Sequence, residues 1–421
     1  MVKSFKFAFK ILLVVTLMTV LFTYSMFQGG FVSWFLFFSF IPILAYSILV
    51  IFYPMKLVKV ERHVSRHYLQ ASQTLHVTVN IKRVLPLPIF YMIVEDGVPE
   101  MLTWHDTRHH KYKFLADPKK LQNRHDNKTI MFPFFKRKLT YQYRLDSIPR
   151  GRHEFGRVKL LTGDLLGLVK KERWYEFETA ILVEPGEVSL QLELERSAFE
   201  EGQRVAYSVK ANHTNLVSGV RDYAPGDQLS WIDWKTTARK QTLVTKEFEE
   251  EKHKDLSIIL NGSTKDHRLW LAFEAAVELT HAVALDAYED HGNVSVIALG
   301  KGREELVLSH GKQSVEQLTR LLSQIELVDD AQFAQQLRSE AWQLSKDRYL
   351  VIVTHELSKA INQTVMRLKQ QHTDIHIIFI RSKHLMSSEE RIGIDQLHYS
   401  GVKVTWLNED RLARRHIEVN A

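Results

Sequence analysis

The chain has 421 residues, room for about two to four domains, and its 25 % charged and 45 % hydrophobic composition is that of a globular protein able to build real cores. It contains no cysteine, which excludes disulfides, thiolate metal sites and cysteine nucleophiles and fits a reducing compartment. The net charge of +7 comes with no nucleic-acid motif and no basic stripe interleaved with aromatics, so nucleic acid is not an expected partner.

The first 53 residues carry almost no charge beyond Lys3, Lys6 and Lys10. Ile11 to Phe27 and Phe31 to Tyr53 are uninterrupted apolar runs, and a helix needs about 20 such residues to cross the hydrocarbon core. The second run suffices alone. The first does with Ala8 to Lys10 included and Lys10 snorkelling to the interface. Two transmembrane helices are therefore expected at about 8–27 and 31–53, within a segment 1–55, with Gln28, Gly29 and Gly30 as the turn. Lysines and arginines flank the hairpin at Lys3, Lys6, Lys10, Lys56, Lys59, Arg62 and Arg66, and none lies between, which predicts a multi-pass cell-membrane protein with its soluble part in the cytoplasm. A cleaved signal peptide is the competing reading. It lacks a small-x-small site near Tyr24 to Gly30, and the second run would still hold the C-terminal bulk in the cytoplasm.

Residues 56–200 alternate apolar and polar positions in short runs: Leu75 to Arg83, Ile89 to Asp96, Thr140 to Asp146, His153 to Gly163 and Thr179 to Pro185. Short β-branched strands with frequent turns predict a β-sandwich-like domain. His105 to Lys128 holds eleven histidines, lysines and arginines. A metal or lipid-headgroup site is the sharper reading, and a solvated, mobile loop is preferred, because metal ligands need supporting hydrogen bonds that a polar loop rarely offers. Anionic lipid contacts remain an expectation for a region tethered near a bilayer.

From 254 to 421 strands and helices alternate. Asp255 to Leu260, Asn293 to Gly300, Arg348 to Thr354, Asp374 to Ile380 and Lys403 to Asn408 read as strands. His267 to Asp290, Ser314 to Glu326, Ser358 to Gln371 and about 389–397 read as helices. This is a doubly wound α/β sheet, whose ligands sit beyond the C-terminal ends of the strands. The whole chain is thus expected to be an α+β multidomain protein.

Between these regions, in 201–253, lies SGVRDYAPGDQLSWIDWKTTARKQTLVTKEFEEE. Gly219, Arg221, Tyr223, Pro225, Gly226, Asp227, Ile232, Asp233, Trp234, Ala238, Arg239, Leu243, Lys246 and Glu247 match the spacing of the bacterial "domain of unknown function 58" family, which the chain resembles along essentially its whole length. Arg150-Gly151, the Gly163 to Leu168 run and Pro185 add to the resemblance. The resemblance implies that the C-terminal half looks like a von Willebrand factor type A domain and that a MoxR-type AAA+ ATPase is a partner. It implies no reaction. Physically, Pro225-Gly226-Asp227 reads as a turn. Trp234 is an apolar anchor, and Arg221, Asp222, Asp227, Asp233, Arg239 and Glu247 read as an ion-pair network. Bracing of the connection onto the α/β domain is preferred, ahead of partner docking and of catalysis.

Type A domains often hold a divalent cation through Asp-x-Ser-x-Ser after the first strand. Here Asn261 replaces the aspartate, Ser263 is kept, Lys265 replaces the last serine, and His355 falls where a later carboxylate often sits. The site reads as degenerate, with no metal or other cofactor, although weak binding through Asn261, Ser263 and Glu356 stays open. No GxxxxGK(S/T) loop or GxSxG elbow is present, and His355-Glu356 does not extend to HExxH because Lys359 and Ala360 follow. The expected function is a membrane-anchored, non-enzymatic adaptor working with a MoxR-type ATPase. The alternatives are a hydrolase centred on Asp227, Asp233 and Arg239, and a structural part of an envelope-assembly complex.

Overall fold

The two apolar runs form helices α1 (Val2–Gln28) and α2 (Phe31–Phe52) in a computed structural model. It describes residues 2–122, 127–186, 189–193, 216–224, 227, 231–249, 256–291, 294–309, 311–330, 332–340, 349–371, 374–414 and 416–420. Both helices are long and apolar enough to cross a membrane, α1 over its Phe9–Gln28 stretch. Gly29 and Gly30 turn the chain at φ +61° and +89°, the left-handed region that a side chain resists. Ser25 donates to the Ser33 carbonyl at 2.8 Å, and the Phe22, Trp34 and Phe37 rings interlock. The outer apolar side chains, Phe27, Phe31 and Phe35 among them, stay exposed, as suits lipid.

The next region contains β1 (Val58–Val64), β2 (Tyr68–Gln70), β3 (Leu75–Arg83), β4 (Met92–Asp96), β5 (Asn127–Met131), β6 (Lys138–Leu145), β7 (Gly151–Glu154), β8 (Val158–Gly163), β9 (Lys170–Tyr175) and β10 (Ala180–Glu184). They pair as β1-β3-β6, as β5-β4-β8-β9 and as β2-β10-β7. Alternation along β3 turns Leu75, Val77, Val79 and Ile81 to one face, all fully buried. Val79 and Ile81 share a core with Met92, Val94, Val158 and Leu160 of the four-stranded sheet. Arg62, one of the cations expected to orient the hairpin, turns inward and pairs with Asp96, which Tyr143 also contacts at 2.7 Å. Burial outweighs Arg62 and Tyr143 there and pushes the Asp96 carboxyl above its usual range.

Two predicted strands differ in extent. Ile89 makes only a single bridge to Phe134, and the strand begins at Met92. The run from His153 to Gly163 breaks at Phe155 to Arg157, so that β7 and β8 join different sheets. Over its described residues, 105–122 and 127–128, the basic stretch is not a solvated, mobile loop. It folds into two 3-10 turns, Arg108–Phe114 and Pro118–Leu121, after a third at Glu100–Thr103, and Tyr112, Leu115 and Leu121 join the preceding Trp104 in the core of the α/β region.

Beyond it come β11 (Ser189–Glu193), β12 (Leu216–Asp222), α3 (Trp234–Lys240) and β13 (Val244–Glu249). The α/β region then runs β14 (Leu256–Asn261), β15 (Ser263–Thr264), α4 (Trp270–His291), β16 (Val294–Leu299), β17 (Arg303–Leu308), α5 (Lys312–Gln324), β18 (Val328–Asp329), α6 (Phe333–Glu340), β19 (Tyr349–Thr354), α7 (Lys359–Gln371), β20 (Ile375–Ile380), α8 (Ser388–Tyr399), β21 (Lys403–Leu407), α9 (Glu409–Leu412) and β22 (His416–Asn420). Six strands form one sheet in the order β17-β16-β14-β19-β20-β21, parallel except for β17 at the edge. Every residue of β14, β16 and β20 is buried, because helices cover both faces. Leu256, Ile258 and Leu260 pack with α4 and α5, and Ile259 and Ile352 with α6, α7 and α8. β22 pairs in parallel with β11, so the end of the chain returns across the expected division at 200.

Candidate functional site

The C-terminal edge of the six-stranded sheet is where such folds bind ligands. Asn261 ends β14 there and is fully buried. Its amide nitrogen donates to Thr354 Oγ1 at 3.0 Å, and its Oδ1 accepts from the Ser263 backbone at 3.0 Å and the Ser263 hydroxyl at 3.3 Å. Thr354 donates in turn to the Glu356 carbonyl at 2.9 Å. Asn261, Ser263 and Thr354 thus bind each other and tie the two loops together.

His355 follows Thr354 and is fully buried, edge-on to Phe273 at 6.1 Å. Burial pushes its pKa down to about 3, and the Arg381 guanidinium adds to the shift. Lys265 points to solvent, and burial raises the Glu356 carboxyl above its usual range against the pull of Arg381. Asn261, Ser263 and His355 lie together at this edge, and Lys265 lies at the rim. The donor set does not suit a hard divalent cation, because the Asn261 amide is committed to Thr354 and Ser263 and burial disfavours the charged form of the Glu356 carboxyl. Among the described residues no three His, Asp or Glu side chains converge on one point. Titration of the full chain with magnesium or manganese in a calorimeter is expected to give no saturable heat. Saturable binding abolished by Asn261→Ala would overturn this assignment.

The signature segment forms its own hairpin. β12 and β13 pair antiparallel, with a register shift between Val217 and Gly219. Asp233 caps α3, accepting from the Lys235 and Thr236 amides at 3.0 and 3.2 Å. Arg221 donates to Asp227 at 2.6 Å, and Asp227 also accepts from the Ala224 amide at 3.0 Å. The Arg221 hydrogen bond holds the Asp227 carboxyl below its ordinary range, and the Thr236 backbone does the same for Asp233. Tyr223 is half-buried and joins the strands through its backbone, donating to the Leu243 carbonyl at 2.9 Å. Trp234 is 66 % exposed, with Val220 and Leu243 also outward and Arg239 in solvent. Pro225 and Gly226 lie outside the described residues. The hydrogen bonds of Arg221, Asp227 and Asp233 described here stay within the hairpin, so these groups brace the hairpin itself.

Bracing of the α/β region comes from elsewhere, and reading the chain as a sequence missed it. Arg150 Nε and Nη2 donate to Glu274 of α4 at 2.9 and 2.8 Å, and Nη1 donates to the Leu322 and Ile325 carbonyls at 2.5 and 2.9 Å. One turn along α4, Glu278 receives the Lys111 ammonium at 2.5 Å and the Tyr112 hydroxyl, while Lys111 also donates to Asp106 at 2.6 Å. All six side chains are buried. Beside them the Trp104 and Trp270 rings lie 4.7 Å apart. One available signal was a pair of glutamates four residues apart in the otherwise apolar first half of α4, residues 270–279. A cleft of about 680 Å³ opens near this seam, lined by Lys113, Lys383, His384, Arg414, Glu409 and Asp410.

Residues 219–385 match the family model described as protein of unknown function DUF58. The uncharacterized protein YeaD of Bacillus subtilis (strain 168) is 32 % identical over 319 residues, 75 % of each chain. Among solved structures, the PilB minor pilin from Streptococcus sanguinis aligns with 78 % of this chain and 86 % of its own, at 8 % identity and a TM-score of 0.26. A CARDB domain from Pyrococcus furiosus aligns with 31 % of this chain and 92 % of its own, at 6 % identity and a TM-score of 0.17. Scores this low carry no argument about fold. The relationship to YeaD and the family match across the signature do: the chain belongs to the DUF58 family of proteins of unknown function.

Proposed function

We propose that this protein is a membrane-anchored, non-enzymatic adaptor that presents the signature hairpin to a partner on the cytoplasmic side. The observation that carries the proposal is Trp234, 66 % exposed on a hairpin whose Arg221, Asp227 and Asp233 are already hydrogen-bonded within it. An exposed tryptophan, with Val220 and Leu243 also outward on the same hairpin, is the composition of an interface anchor. The sheet order with one antiparallel edge strand supports a von Willebrand factor type A reading of the α/β region, a fold used for binding. The basic residues flanking the hairpin support cytoplasmic placement. The partner we assign is a MoxR-type AAA+ ATPase, which the family resemblance implies.

The same geometry weighs against a hydrolase centred on Asp227, Asp233 and Arg239. A general acid at neutral pH needs a raised carboxyl pKa, and both aspartates are held low. Crosslinking in native membranes, with and without nucleotide, tests the adaptor reading. The ATPase is expected to be captured by the wild-type chain and lost with Trp234→Ala, whose melting temperature stays unchanged because the indole is exposed. Equal capture by both chains would remove the hairpin from the interface. Absence of any AAA+ protein from the wild-type sample would overturn the partner.

A further inference from the structure

We propose that the β-rich region dips two loops into the bilayer interface beside α2, making the phospholipid surface a docking partner of this region as well as of the helices. The proposal rests on the reading that α1 and α2 span the membrane.

The depth follows from contacts to α2. Tyr46 and Ser47 precede the end of this helix at Phe52 by six and five residues, about 8–9 Å along its axis. The Phe90 amide donates to the Tyr46 hydroxyl at 3.0 Å, the Tyr46 and Phe90 rings lie 4.8 Å apart, and Phe90 meets Phe134 at 5.8 Å. Ser47 donates to Asp164 at 2.8 Å, and Val169 shares a small core with Leu44 and Val14. Adjacent helical residues point about 100° apart, so residues 131–137 and the turn 163–169 descend along two flanks of one helix.

Their tips are apolar and outward. Phe132, Phe134 and Phe135 are 62, 46 and 66 % exposed, and Leu165 and Leu166 are 55 and 43 % exposed. An apolar patch on a monomer marks an interaction surface, and this one is continuous with the lipid-facing helices. Lys136, Arg137 and Lys138 follow at once, all exposed, where anionic headgroups would lie.

Both loops are held firmly. Arg83 is buried and donates to the Tyr53 hydroxyl at 3.0 Å, to the Phe134 and Lys136 carbonyls at 3.0 Å each, and to the Leu87 carbonyl. Asp164 closes its own turn by accepting from the Val169 amide at 2.8 Å, with Gly167 at φ +73°. Lys171 donates to the Tyr53 carbonyl at 2.8 Å and to that of Ile51, placing a cation at the C-terminus of α2. The sequence alone suggested headgroup contact through the basic stretch at 105–128. The geometry assigns it to 131–138 instead.

Because the chain has no cysteine, single spin labels test this directly in full-length protein reconstituted in nanodiscs. Labels at Phe38→Cys, Phe135→Cys, Leu166→Cys and Tyr399→Cys are compared for accessibility to oxygen and to a water-soluble nickel chelate. Phe38 is expected to favour oxygen strongly, Phe135 and Leu166 to favour it at a shallower depth, and Tyr399 to favour nickel. A lipid-buried Phe38 with water-like Phe135 and Leu166 would overturn the loop proposal while keeping the anchor. A water-like Phe38 would overturn both. Exclusion of both reagents at Phe135 and Leu166 would point to a protein cover and also overturn it. Changing Lys136, Arg137 and Lys138 to glutamate should make the Phe135 label shallower in discs containing phosphatidylglycerol only. An equal shift in phosphatidylcholine discs would remove the anionic component.

Discussion

Replacing Glu278 by leucine is expected to lower the unfolding free energy by about 3–5 kcal/mol. The glutamate accepts from Lys111 and Tyr112, and all three side chains are shut off from water. Burial pushes the Glu278 carboxyl up, and Lys111 opposes that shift. Burial alone would depress the Lys111 ammonium, yet Asp106 and Glu278 together hold it above its ordinary value. Removing Glu278 leaves Lys111 with one carboxylate and Tyr112 without its acceptor. Adding Lys111→Met should recover most of the loss, because an apolar pair of similar volume needs no compensation. Asp106 keeps two donors in that variant, Ser72 Oγ at 2.9 Å and the Arg108 amide at 2.8 Å. Urea unfolding of the detergent-solubilised chain, followed by tryptophan fluorescence, measures both variants, since Trp104 and Trp270 sit at this seam. A loss below about 1 kcal/mol for the single variant, the range of exposed ion pairs, would show that the seam is not closed in solution.

This seam also shows where sequence reading stops. The central strands of the α/β sheet were legible because burial on both faces demands continuous apolar runs, and Leu256–Asn261 and Ile375–Ile380 are such runs. The edge strand Arg303–Leu308 was not, because its Arg-Glu-Glu start is exposed and has no apolar period. The strand Lys170–Tyr175 was hidden in the same way by charge, and Asn127–Met131 by its polar start and lack of buried positions. In the basic stretch, composition described the exposed lysines and concealed the buried Lys111. Lys111 is buried because Asp106 stands five residues before it and Glu278 stands 167 residues after it, and no local pattern reports the second distance. Trp104, Tyr112, Leu115 and Leu121 were the visible warning that this stretch has a core of its own to join. At the sheet edge Asn261 and His355 were legible only as differences from the pattern that the family resemblance implies. Their use as internal ties and buried packing was not, since it depends on Thr354 and Phe273 arriving from other elements.

His355 and His376 together are expected to make the fold acid-sensitive well above the carboxylate range. Burial pushes His355 down to about 3, with Arg381 assisting, and pushes His376 down to about 4, with Lys403 assisting. His376 nevertheless makes a 2.8 Å hydrogen bond with Thr405 Oγ1, which a neutral ring can sustain. Both rings are neutral when folded, whereas in the unfolded chain each takes up a proton below about pH 6.5. The unfolded state then binds more protons, so stability rises with pH through this window and is lost as pH falls. At pH 5 each histidine disfavours the fold by about 2 kcal/mol relative to pH 8, about 4 kcal/mol for the pair. The loss levels off only near the folded values. Glu278 and Asp96 act in the opposite direction, because burial raises their folded pKa and favours the folded state as acid is added. Their contribution is kept constant by comparing the wild-type chain with the double variant His355→Gln/His376→Gln. Urea unfolding at a series of pH values should give the wild type a slope steeper by about two protons between pH 4.5 and 6. A difference of about one proton would mean that one ring is already protonated, or open to water, in the folded protein, and equal slopes would mean that both are.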